Sequence, residues 1–94
     1  MSELIPKTDL NAWIKKIPEW DLEDKSVTRA VEFDSFSEAI DFVNDVAEIA
    51  EDAQHHPDID VRYTRVTLTL TTHDKGGLTA ADFEMAGRID TLID

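Results

Sequence analysis

The strongest hydrophobic pattern lies in the middle of the chain and has the period of a helix. From residue 36 to residue 50, apolar residues recur at intervals of three and four, and acidic residues occupy the opposite arc. Ser35 and Glu38 match a capping box, in which a side-chain acceptor precedes the helix and a glutamate follows three residues later. The pattern predicts an amphipathic helix with a buried arc of Phe36, Ala39, Ile40, Phe42, Val43, Val46, Ala47, Ile49 and Ala50.

Four other stretches alternate between apolar and polar residues, as half-buried strands do. The first begins near Trp20, and the others span residues 27–33, 59–63 and 66–73, with a tight turn or a bulge at Thr64-Arg65. Arg29 falls on the apolar face of its strand, so we expect either that its stem packs there while its charged end escapes, or that the strand is irregular. By the same alternation, His73 lies on the threonine face of the last strand.

Two shorter helices are predicted near the two ends of the sequence. The first spans about residues 9–17, between the N-cap Thr8 and the helix-stopping Pro18. Thr79 and Asp82 cap the last helix, which runs to residue 93, and Leu78 is placed to staple to Phe83. The order α-β-β-α-β-β-α indicates an α+β fold, with a four-stranded antiparallel sheet and three helices on one face.

Length and charge narrow the classes of partner. The 94 residues are most simply one domain, residues 1–94, and a domain this small gains useful burial by forming a homo-oligomer, either a dimer or a tetramer. The chain has 21 acidic and 9 basic residues, a formal net charge of −12, and its basic residues form no stripe. We therefore expect no direct nucleic-acid partner and no anionic membrane surface as a partner.

The absence of cysteine excludes disulfides, thiolate chemistry and cysteine-ligated zinc. Residues 1–7 lack the basic start and apolar core of a signal peptide, and no apolar run approaches the roughly 20 residues that cross a membrane. These features predict a cytoplasmic protein.

All three histidines, His55, His56 and His73, lie where a predicted helix or strand ends. A metal site is disfavoured, because adjacent residues in extended chain point to opposite sides and no HExxH or i,i+4 histidine pair is present. Acid–base catalysis fits better, since imidazole donates or accepts a proton near neutral pH. Two or three imidazoles around one cavity could protonate a leaving group and remove a proton elsewhere, so we expect the three rings to converge on one cavity.

Each of these residues also has an ordinary structural explanation. A single histidine is commonly a surface residue or a satisfied hydrogen-bond partner. Asp82 can serve only as a helix cap, and Glu51 only as the last acid of a solvated face. Thr71 is an ordinary strand residue, although a row of threonines can also form the polar floor of a ligand site.

A longer set of residues resembles the pterin-4a-carbinolamine dehydratase family. It includes Glu51, the run His55-His56-Pro57, Thr72-His73, Gly77-Leu78-Thr79 and Asp82. Tyr63, Val66, Trp20 and the region from residue 33 to residue 46 fit the same pattern. The resemblance covers about residues 10–92, and its specificity lies in the combination of the two histidine motifs.

The resemblance implies a hydro-lyase that converts 4a-hydroxytetrahydropterin to quinonoid dihydropterin in tetrahydropterin recycling, without a metal or an organic cofactor. It makes His55, His56 and His73 the catalytic acid–base set, with their individual roles open. Glu51 and Asp82 would orient imidazoles or hold the pterin. The residues flanking the histidines would contact the pterin ring, in part through backbone groups: Gln54, Thr71, Thr72 and Asp74. The family is commonly homotetrameric.

Two departures from the animal enzymes affect ring contacts and leave the acid–base set intact. Gln54 replaces an aspartate, and Ile59 replaces a tryptophan. Because animal relatives also act as dimerisation cofactors of a transcription factor, a non-catalytic protein-interaction module is a rival function. A pterin-handling protein of molybdenum-cofactor metabolism is another.

Overall fold

The computed structural model describes residues 3–93 and gives them the predicted order of elements. The helices are α1 (Leu10–Ile14), α2 (Phe36–Ala53) and α3 (Ala80–Ile93). The strands are β1 (Asp21–Glu23), β2 (Ser26–Glu32), β3 (Asp58–Arg62) and β4 (Arg65–Leu70), and single 3-10 turns cover Lys7–Asp9 and His73–Lys75. The strands form one antiparallel sheet in the order β1-β2-β4-β3, so the predicted α+β fold is confirmed.

The strand register separates an apolar sheet face from a polar one. Val27 lies opposite Leu70, and Ile59 lies opposite Leu68. Directly opposed residues of antiparallel strands project to the same face, so these side chains all point towards the helices. Thr69 and its neighbouring threonines project to the other face. The core between sheet and helices is formed by Ile17, Trp20, Val27, Ala39, Phe42, Val46, Ala50, Val66, Leu68, Leu70, Leu78, Phe83, Met85, Ala86 and Ile89.

Helix α2 begins as its sequence predicts, because the Ser35 Oγ accepts the backbone N–H of Glu38 at 3.2 Å. Its buried arc is narrower than predicted. Phe36 is 50% exposed and Ala47 is exposed as well, so the assignment of these two residues to the core is wrong. Phe36 instead stacks on the ring of Tyr63, with centroids 6.4 Å apart, which removes part of both aromatic surfaces from water.

Helix α1 is shorter than predicted. The predicted N-cap Thr8 lies inside the preceding 3-10 turn, and Asp9, which directly precedes α1, makes no side-chain capping bond. The backbone N–H of Ile17 bonds to Ile14 only three residues back, so the chain tightens into turns before it reaches Pro18.

Both ends of β4 differ from the prediction. Strand β4 ends at Leu70, because Thr72 pairs in an isolated bridge with Gly77 and His73 opens a 3-10 turn. The prediction that the strand extends to His73 is therefore wrong, and strand alternation no longer indicates on which face His73 lies. The β3–β4 turn is formed by Tyr63 and Thr64, with Tyr63 at φ 54°, and Arg65 already belongs to β4.

Arg29 lies on the apolar face as predicted, and its charged end has a partner there. Its Nη1 donates to Asp90 Oδ1 on α3 at 2.6 Å, and the Trp20 Nε1–H donates to the same oxygen at 2.8 Å. The Arg29 and Asp90 side chains are only 14% and 20% exposed. The carboxylate therefore joins α3 to the sheet and satisfies two donors that would otherwise be buried without partners. Among residues 3–93, no helix is long and apolar enough to cross a membrane.

Replacement of Asp90 by alanine should lower the free energy of unfolding by about 2–3 kcal/mol, because it leaves a mostly buried guanidinium and an indole N–H without an acceptor. Urea denaturation monitored by circular dichroism measures the change. Asp52→Ala is the matched control, since the Asp52–Arg88 pair is exposed and its loss should change stability by no more than about 0.5 kcal/mol. Equal effects of the two substitutions would contradict this account.

Candidate active site

The end of α2 fixes the positions of His55 and His56. Gln54 adopts the left-handed conformation (φ 54°, ψ 40°), and its side chain donates to the Glu51 carbonyl at 2.8 Å. The backbone N–H of His55 then reaches back to the Ala50 carbonyl at 3.1 Å, which is the Schellman pattern of a helix end. Pro57 follows and favours extended chain. The two imidazoles are thus held immediately after a well-closed helix.

His55 pairs with the buried carboxylate of Asp82. Its Nε2 lies 2.5 Å from Asp82 Oδ1, and the two side chains are 17% and 0% exposed. Asp82 occupies the first turn of α3, where the partial positive charge of the helix N-terminus favours an acid. The pair joins the end of one helix to the beginning of another.

Two further donors satisfy the other oxygen of Asp82. Oδ2 accepts the Thr72 hydroxyl at 2.8 Å and the backbone N–H of Thr79 at 2.8 Å. The Thr72 and Thr79 hydroxyls are also 2.9 Å apart. Among residues 3–93, no buried side-chain nitrogen or oxygen lacks a partner, so this polar group is fully satisfied inside the protein.

The proton positions in this group follow from its acceptors. The single hydroxyl proton of Thr72 goes to Asp82, so the Thr79 hydroxyl must donate to Thr72 Oγ1. A carboxylate oxygen facing His55 Nε2 requires the ring proton on Nε2. The neutral His55 ring therefore has its free lone pair on Nδ1, and that nitrogen is the one available for proton transfer.

His56 forms a second, exposed pair. Its Nε2 lies 2.6 Å from Glu51 Oε2, with side chains 54% and 74% exposed. The same logic places the proton on Nε2 and the free lone pair on Nδ1. Two adjacent histidines thus each have a carboxylate partner, one buried on α3 and one exposed on α2.

His73 is exposed and directly follows Thr72 at the start of its 3-10 turn. Since Thr72 and His55 bind the same carboxylate, the fold brings the ends of α2 and β4 to the first turn of α3. This juxtaposition unites His55, Thr72 and Asp82, with His73 adjacent in sequence. The predicted cavity shared by the three rings stays a prediction, because the surface hollows of about 260, 310 and 380 Å³ are lined by other residues.

The remaining predicted site residues have separate positions. The Thr71 hydroxyl donates to the Lys25 carbonyl at 2.6 Å, which attaches β4 to the turn between β1 and β2. Asp74 is exposed in the 3-10 turn. Gln54 uses its side-chain amide to close α2. Thr79 was missed as a site residue, although its spacing from Asp82 was read as a helix cap, because sequence spacing alone does not reveal a hydroxyl shared with Thr72.

Comparison with known proteins identifies similar chains along the whole sequence. The family described as pterin 4 alpha carbinolamine dehydratase matches residues 3–92. A protein of Picosynechococcus sp., whose name assigns it provisionally as a pterin-4-alpha-carbinolamine dehydratase, is 48% identical over 92 residues, covering 98% of this chain and 100% of that protein. A protein of Acidobacterium capsulatum with the same provisional name is 50% identical over 93 residues, covering 99% and 100%.

Two solved structures share the fold. The crystal structure of a transcriptional coactivator/pterin dehydratase from Brucella melitensis has a TM-score of 0.88 and 31% identity, covering 94% of this chain and 96% of that one. A pterin dehydratase-like protein identified as a RuBisCO assembly factor in the alpha-carboxysome has a TM-score of 0.64 and 24% identity, covering 78% and 84%. The second likeness shows the fold alone.

The hydrogen-bond geometry predicts the tautomers of the histidines. In the neutral state, His55 and His56 should both carry their proton on Nε2, since each Nε2 faces a carboxylate. Long-range ¹H–¹⁵N correlation spectra of the labelled protein distinguish the two ring nitrogens. Glu51→Gln is the control, because it alters the partner of His56 and leaves the His55 signals unchanged. A neutral His55 ring with its proton on Nδ1 would contradict the described pairing.

Proposed function

Because the chain belongs to the pterin-4-alpha-carbinolamine dehydratase family, we propose that it is a hydro-lyase that converts 4a-hydroxytetrahydropterin to quinonoid dihydropterin. The substrate loses the proton on N5 to a base, and the C4a–O bond breaks as an acid protonates the hydroxyl. The electron pair of the N5–H bond forms the C4a=N5 double bond, and one water leaves. The reaction needs one base near N5 and one acid near the 4a-hydroxyl. It involves no net oxidation or reduction.

The observation that carries this proposal is the pair formed by His55 and the fully buried Asp82. A base must hold the proton that it removes, and a buried carboxylate 2.5 Å from Nε2 stabilises the imidazolium that forms. The free lone pair on Nδ1 is the proton acceptor in this scheme. We assign His55 as the base at N5.

The acid must deliver a proton to the leaving hydroxyl and then recover one from solvent. His56 and His73 are both exposed, and His56 has Glu51 beside it to stabilise its charged form. These properties support His56 as the donor, with His73 completing the catalytic set from the adjacent turn. Because His56 is exposed, the water formed when it protonates the hydroxyl can leave directly to solvent.

The other predicted site residues divide into two roles. Asp82 is 0% exposed, so it acts on the pterin only through His55, and Thr72 acts through Asp82. They are positioning residues. Gln54, Thr71 and Asp74 lie on the segments around the histidines, and we propose that they contact the pterin ring mainly through backbone groups, since the Gln54 and Thr71 side chains already have partners. The cytoplasmic location, the homo-oligomeric state and the place in tetrahydropterin recycling stay predictions.

A protein-interaction role is the second candidate, because the Brucella melitensis structure, at 31% identity, is that of a transcriptional coactivator/pterin dehydratase. The buried acid paired with an imidazole favours the enzyme, because a surface used only for docking gains nothing from a histidine whose proton is fixed in place. Turnover by the purified chain decides between the two roles.

Stopped-flow absorbance of the 4a-carbinolamine should show its rapid loss with the purified protein. His55→Ala and His56→Ala should each lower kcat by about 10²–10⁴, the contribution of a positioned acid or base. Arg88→Gln is the control, since its side chain pairs with exposed Asp52 and should leave kcat unchanged. If the wild-type protein does not accelerate the reaction, the dehydratase proposal is refuted and the protein-interaction role is favoured. Unchanged kcat in both histidine variants would refute acid–base catalysis by His55 and His56.

Asp82→Asn tests the positioning role separately. If the new amide oxygen keeps the bonds from Thr72 and Thr79, the NH₂ group faces His55 Nε2 and forces the ring proton onto Nδ1, which removes the base. We expect kcat to fall about 10²–10⁴-fold with a smaller change in KM, and the His55 ¹⁵N signals to exchange tautomer. A loss of activity with the original tautomer and a lower melting temperature would indicate a structural role only.

A further inference from the structure

The cavity of about 310 Å³ is lined by none of the proposed catalytic histidines and has an unusual charge for this chain. Its lining combines the segment before α1, the turn between β1 and β2, and the glycines after the His73 turn. The residues are Leu4, Ile5, Lys7, Leu10, Asp24, Lys25, Gly76, Gly77 and Leu78. None of them belongs to the proposed acid–base set, so the dehydratase site does not account for this cavity.

The cavity has an apolar floor and a polar rim. Gly77 and Leu78 are buried beneath it, whereas Lys7 and Lys25 are exposed at its edge. Leu4 is 51% exposed, so part of its side chain is accessible to a ligand in the cavity. A volume near 300 Å³ with mostly apolar walls and a few charged groups is the usual form of a small-molecule site.

The backbone of the cavity walls is held by hydrogen bonds within the protein. The backbone N–H of Ile5 donates to the Leu78 carbonyl at 2.9 Å, and Leu4 forms a bridge with Thr79. The Thr71 hydroxyl fixes the Lys25 carbonyl on the opposite side. The cavity is therefore part of the folded framework.

The charged residues at the rim of the cavity indicate the charge of the ligand. In a chain with a net charge of −12, this lining contains two lysines and one aspartate. Within residues 3–93, neither Lys7 nor Lys25 forms an ion pair with a carboxylate, Asp24 included. Two ammonium groups beside an apolar hollow are complementary to a molecule with an anionic head and an aliphatic body.

We propose that this cavity binds a small anionic amphiphile, with its carboxylate or phosphate at Lys7 and Lys25 and its aliphatic chain against Leu4, Leu10 and Leu78. None of the proposed acid–base residues lines this cavity. Binding here and turnover there are measured separately, so the failure of one proposal leaves the other standing.

Titration of the full ¹⁵N-labelled chain with butyrate, hexanoate and octanoate tests the proposal by nuclear magnetic resonance. Affinity should rise about fourfold per added methylene as the aliphatic chain fills the hollow. The amide signals of Gly76 and Gly77 should move, and that of Gly87 on α3, which lies outside this cavity, should stay in place. Octyl phosphate in parallel distinguishes a phosphate head from a carboxylate, and binding of either at these glycines supports the site.

Substitutions in the cavity lining separately test the contacts with the anionic head and with the aliphatic chain of the ligand. Lys7→Gln and Lys25→Gln should each weaken octanoate binding about two- to fivefold, as expected for exposed charge pairs, and Lys15→Gln should not, although it changes the net charge equally. Leu4→Asp puts a carboxylate at a half-exposed position in the lining, and it should abolish binding. Equal binding of octylammonium, absence of shifts at millimolar octanoate, or shifts confined to other residues would overturn the proposal.

Discussion

The complete burial of the Asp82 carboxylate is the constraint on which the site depends. A charge removed from water must be compensated by donors, and here the compensation comes from three parts of the chain. Thr79, directly before α3, supplies its backbone N–H, Thr72, just beyond β4, supplies its hydroxyl, and His55, two residues after α2, supplies its ring. Each donor must be in place for the fold to tolerate the charge. The stability of the local structure and the orientation of the histidine therefore have the same physical cause.

The sequence predicted most of the fold because its hydrophobic periods are clear. Helix α2 and the alternation in β4 could be read directly, and the capping residues Ser35 and Thr79 located two helix starts. Element boundaries and side-chain partners were harder to predict where one specific pairing decides them. Strand β4 ends early because of a bridge between Thr72 and Gly77, and Arg29 has its partner Asp90 sixty-one residues away. Neither pairing leaves a local pattern in the sequence.

The candidate site was predictable as a set of residues and unpredictable as a geometry. His55, His56 and His73 stand out by type and spacing, and family resemblance adds Glu51 and Asp82. The sequence could not reveal which acid pairs with which histidine. The fully buried Asp82 pairs with His55, and the exposed Glu51 pairs with His56. This pairing depends on how α2 and α3 pack, which in turn depends on small residues such as Ala50 and Ala86 in the core between them. The difference between the two histidines is thus a product of tertiary packing.

The attachment of His55 and Asp82 to the ends of two different helices has a consequence for how the molecule responds to heat. The pair is closely attached to both helices, because α2 ends two residues before His55 and Asp82 is the third residue of α3. Fraying of either helix end would separate the ring from its counter-charge before the rest of the core opens. Inactivation on warming should therefore begin no later than global melting, and a more rigid junction between these helices would extend the working temperature without any change in the reacting groups.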